Sequence, residues 1–124
     1  MATSALFIAL QCGLALVFLY SGAEKLFHWQ ESLDEVTALG LPAPRLCAVL
    51  TSATQLMGGA MVVSGIFATE GAVMLAGFTF VATALGHRFW LLRGQPARRE
   101  FTTALEHLAI ISGLLLLAAS RVGL

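Results

Sequence analysis

The chain has 124 residues, 58% of them hydrophobic and 11% charged, with 7 basic and 7 acidic side chains and no formal net charge. Its mean hydropathy is +0.86. So little charge cannot cover a soluble domain, and its balance offers neither a basic stripe for nucleic acid nor an acidic solvating tail.

Crossing the hydrocarbon takes about 20 residues of helix. Four stretches qualify, at approximately residues 4–24, 46–67, 71–92 and 101–120. They predict an all-α integral membrane protein, a compact bundle of four transmembrane helices forming one domain over residues 1–124. The first stretch follows no Lys or Arg and leads into no small-residue cleavage site, so it reads as a retained helix rather than a secretory signal. The uncharged part of the fourth, residues 108–120, is too short to span alone. It draws Glu106 and His107 into the membrane or its interface.

The connections carry local signals. In the first, Ser32 and Glu35 form a capping box, which predicts a short helix ending at Gly40, before Pro42. Leu33, Val36 and Leu39 give that helix one apolar edge, as expected of an amphipathic helix lying in the interface over the bundle. Pro44 opens the second membrane helix. The second connection is tight, with Thr69 as N-cap, and Pro96 starts a helical lead-in after the basic third connection.

Lys25, Arg45, Arg88, Arg93, Arg98 and Arg99 fall on the side of the first and third connections, and only Arg121 on the other. The excess of positive charge assigns the first and third connections to the cytoplasm and both termini to the outer side of the inner membrane. Trp29 and Trp90 serve as interface anchors on the same side. Small residues predict close helix approach, through Ala48, Ser52, Ala60 and Ser64 beside Gly58 and Gly59, and through Gly77, Ala82 and Gly86. Cys12 and Cys47 lie toward opposite ends of the bundle, too far apart for a disulfide.

An ionisable side chain at membrane depth is costly and marks a site hypothesis. Glu24 and His87 come late in their helices, Glu106 and His107 early in theirs, and Gln55 is about ten residues into its own. Antiparallel threading brings all of them to the cytoplasmic half. Tyr20, Glu24 and His28 share one face, as do Thr51 with Gln55, Thr79 with Thr83 and His87, and Thr103 with His107. Such stripes are expected to face inward. Glu24, Lys25, Gln55, Thr83, His87, Glu106 and His107 are thus the candidates for ligand binding or proton relay. Each has a plainer role as well: Lys25 snorkelling to headgroups, Glu24 pairing with a cation, Thr83 bonding its own backbone, Gln55 bridging helices, and the histidines packed with a satisfied partner. No spacing matches a metal signature.

These residues carry a resemblance. Ser21, Gly22 and Lys25 after an apolar first helix, then Gly40 to Pro42, Gln55 to Gly59 with Gly65, and His87 to Phe89 are similar, in order, to segments of the DoxX family of small four-helix membrane proteins. The resemblance places Lys25, Gln55 and His87 at polar motif positions of that family. It implies links with quinone reduction, thiol redox homeostasis or the assembly of membrane complexes. This chain departs from the pattern in lacking a basic residue before the first helix. It also has Gln55 where Glu is common, and Glu106 and His107 where a short polar residue is common.

The leading expectation is a membrane subunit of a quinone-linked redox system with its polar site in the cytoplasmic half. No flavin, haem or iron–sulfur motif is present, so quinone is the cofactor considered and electrons would come from a redox partner protein at the basic cytoplasmic face. The alternative is a non-catalytic scaffold or assembly factor, and the third is a small-solute or proton pathway. A homo-oligomer fits any of these, and nucleic acid fits none.

Overall fold

A computed structural model of the chain describes residues 2–86 and 93–123, with side chains from residue 5 onward. Five helices follow in order: α1 (Ala2–Phe27), α2 (Trp29–Ala38), α3 (Pro44–Ser64), α4 (Ala68–Gly86) and α5 (Gly94–Arg121). The helices α1, α3, α4 and α5 are each long and apolar enough to cross a membrane. The protein is an all-α, four-helix membrane protein in contact with the lipid bilayer.

Neighbours in the chain are neighbours in space. The helix α1 packs on α3, α3 on α4 and α4 on α5, while α1 and α5 touch least. The core is small: Ala15, Phe18, Val62, Ala72, Leu75 and Leu114 are buried at its centre. Large apolar side chains such as Leu16, Ile66, Phe80 and Leu116 point outward instead. Lipid is their solvent, so the outside needs no polar cover.

Close packing comes from glycine and serine. A Cβ on Gly22 would lie 2.8 Å from Leu56, one on Gly59 2.8 Å from Leu19, and one on Gly58 2.7 Å from Leu75. The Ser52 hydroxyl donates to the Gly22 carbonyl at 3.1 Å across the α1–α3 interface. The small-residue ladder on α3 is therefore Ala48, Ser52, Gly58 and Gly59, while Ala60 and Ser64 are exposed. On α4 the buried small residues are Ala68, Gly71, Ala72 and Ala76, and Gly77 and Gly86 face open space. Residue size is legible in sequence, but the 100° step between neighbours decides which small residue meets a helix.

Helix ends also differ from expectation. Ser32 does not cap α2, which begins at Trp29. Its buried hydroxyl donates to the carbonyl of Lys25 near the end of α1 and to that of His28, the first of these being an acceptor in the last turn of α1. Gly65, with φ of 79°, ends α3 earlier than the expected residue 67, and α4 starts at Ala68, so Thr69 lies inside it. Pro44 opens α3 as expected. Residues 87–92, including His87, Arg88 and Trp90, lie outside the described residues.

Candidate functional site

Helix α2 folds back over the bundle, and beneath it lies a cavity of about 580 Å³. Apolar side chains form most of its wall, among them Phe18, Leu50, Phe78 and Ile110. Val36 and Leu39 of α2 roof it, so the apolar edge of the short helix faces the cavity. The polar members of the wall are Ser21 and Lys25 from α1, Glu35 from α2, Thr51, Thr54 and Gln55 from α3, Thr79 from α4 and His107 from α5.

One group ties α1 to α3. The Lys25 ammonium donates to the Ser21 hydroxyl at 2.8 Å, and the Gln55 amide nitrogen donates to the same oxygen at 3.2 Å. Lys25 and Ser21 are one helical turn apart, which lets a half-buried ammonium keep a partner on its own helix. Gln55 is 5% exposed, and its Oε1 is buried with no hydrogen-bond partner. Exchanging the two amide atoms would leave the other one unpartnered instead. A buried orphan of this kind costs about 1–3 kcal/mol unless something fills the place.

A second group ties α4 to α5. The Thr83 hydroxyl donates to the Thr79 carbonyl at 2.6 Å, which occupies its single proton. His107 Nδ1 lies 2.8 Å from the same hydroxyl and shares a hydrogen bond with it, which ties the ring, a member of the cavity wall, to α4.

Of the sequence candidates, Lys25, Gln55 and His107 meet at the cavity wall, and Thr83 holds His107 from behind. Glu24 and Glu106 are exposed and do not join them. The expected inward stripe of Tyr20, Glu24 and His28 faces outward, with Tyr20 67% exposed. Glu24 and Glu106 are each one residue away from an inward-facing neighbour, a rotation of about 100°. Glu24, three residues from the end of α1, can reach the headgroups and need not turn inward. His87 lies outside the described residues. Among the described residues no group of three His, Cys, Asp or Glu side chains could hold a metal ion.

Two residues of the wall, Ser21 and Glu35, are not among the sequence candidates. The i, i+4 relation of Ser21 to Lys25 is the sequence signal for the first.

The model of the family described as DoxX matches residues 6–88. Among known proteins the chain is similar to "Inner membrane protein YphA" of Escherichia coli (strain K12), 23% identical over 118 residues that cover 95% of this chain and 84% of that protein. No solved structure matches the chain.

Proposed function

The chain belongs to the DoxX family, and from that premise we propose that it is a membrane subunit of a quinone-linked redox system. The cavity under α2 is the headgroup site. One observation carries the reading: Gln55 leaves a buried amide oxygen without a partner in the wall of a cavity that also holds the Lys25 ammonium. A quinone ring offers a carbonyl to accept from Lys25 and, when reduced, a hydroxyl that would donate to Gln55 Oε1 once a turn of the amide brings that buried oxygen to the cavity face. The couple supplies the redox chemistry when bound. The protein contributes a largely apolar slot, donors and acceptors at fixed positions, and the His107 imidazole in the wall to hold or pass a proton.

Loops 1 and 3 lie in the cytoplasm in this reading. The exposed Arg93, Arg98 and Arg99 then present a basic face to an electron-supplying partner. A polar path through the bundle finds less support, because Gln11, the buried polar residue of the other half, is taken up by the Val62 carbonyl and Arg121. A structure of the protein purified in native lipid tests the site. Ring-shaped density between Lys25 and Gln55 supports it. A dry cavity, with Gln55 fully bonded within the protein, makes the polar group a structural tie and favours the scaffold role.

A further inference from the structure

The seam between α1 and α5 is where the bundle is least closed. The headgroup cavity reaches it at Val17 and Phe18 on one side and Ile110 on the other. One turn further along the same two helices a second cavity begins, at Leu14 and Gly113, with a volume of about 520 Å³. It continues past Leu10 and Leu117 to Phe7. From Ser21 to Phe7 the two cavities cover about 20 Å along α1, at 1.5 Å per residue.

Glycines at this seam differ from those that close the other interfaces. Gly22, Gly58, Gly59 and Gly71 all bring helices so close that a Cβ would lie under 3.0 Å from a neighbour. Gly113 does not: its Cβ would meet only Leu14, at 3.6 Å. Gly13, across the seam, has nothing within 4 Å. At these two positions the missing side chain leaves room and does not close an interface.

We propose that the α1–α5 seam is the lateral entrance from lipid and the tail slot for the ligand whose headgroup lies at Lys25 and Gln55. The ligand is then a long-chain isoprenoid amphiphile rather than a small soluble quinone. The inference rests on the headgroup reading above and adds chain length as a requirement of the site. The slot is mostly apolar, with Gln11 midway along it and Ser120 at its far end, as an isoprenoid chain needs, and its near end at Leu14 and Gly113 lies one helical turn from the Phe18 and Ile110 wall of the polar cavity.

The test uses the full chain in lipid nanodiscs and two probes, a benzoquinone without a tail and the same ring with a long isoprenoid tail. The variants are Gly113→Leu, which fills the slot, and Leu116→Trp, which enlarges a side chain on its exposed wall. Gly77→Leu, at an exposed position with open space around it, is the control. The wild type should bind the long-tailed probe more tightly. Either slot variant should weaken that binding roughly tenfold, the worth of about two buried methylenes, and leave the short probe within twofold. If both probes bind equally and neither variant changes the long one, ordinary lipid fills the seam. The tail slot is then overturned while the headgroup site stands. If neither probe binds the wild type, both readings fall together.

Discussion

Gln55 on α3 places its amide nitrogen 3.2 Å from the Ser21 hydroxyl on α1 and leaves its amide oxygen buried and unpartnered. A side chain present only to join two helices would be expected to satisfy both ends, since each unmet end is costly in lipid. In the function proposed above, the half-used amide marks a binding site. Ser21 accepts from the Lys25 ammonium, and the proposed ligand would accept from its remaining protons.

The α1–α3 contact should be sensitive to added volume. Gly22→Leu pushes a side chain into Leu56, whose Cγ would lie 2.8 Å from the new Cβ. A loss of about 1–3 kcal/mol or more is expected in thermal unfolding in detergent. Gly77→Leu, with nothing within 4 Å, should stay within about 0.5 kcal/mol of the wild type.

The far end of the bundle is held by a clamp. Gln11 donates to the Val62 carbonyl at 3.0 Å, near the end of α3 where carbonyls lack helical partners. Arg121 reaches Gln11 and the Gly65 carbonyl, each at 3.4 Å. Gln11→Met should lower stability by about 1–2 kcal/mol, because it uncaps a buried acceptor. Arg121→Ala, at an exposed residue, should cost under about 1 kcal/mol. Equal losses in both would show that the arginine, not the amide, carries the clamp.

Topology follows from the basic residues. A phosphatase fused after residue 124 should be active, as an outer-side reporter, and one fused at residues 93–96 should be inactive. The reverse pattern would turn the bundle over and place the α2 end and its cavity outside.

The four spans were legible because length and hydropathy alone decide them. The site was legible in part. Gln55, Lys25 and His107 could be placed in one half of the bundle from the antiparallel threading, and the cavity wall holds all three. Glu24 and Glu106 share that half but face away. Sequence gives height along a helix readily, while rotation depends on which neighbour packs, and one residue's step is about 100°. The roof helix was legible, but its first turn was not, for a different reason. Ser32 matches a capping pattern, yet it bonds the end of α1 instead, because the chain turns at His28 and carries on as α2 at Trp29.

The measurement closest to the central claim is a thermal shift with added benzoquinone on the wild type and on Gln55→Leu. Removing the amide takes away one 3.2 Å bond and one orphan. The variant should therefore be as stable as the wild type to within about 1 kcal/mol. Quinone at a hundred times its Kd should stabilise the wild type by about 2.7 kcal/mol and should leave Gln55→Leu nearly unmoved. No shift in the wild type, or the same shift in both proteins, would contradict a headgroup site at Gln55.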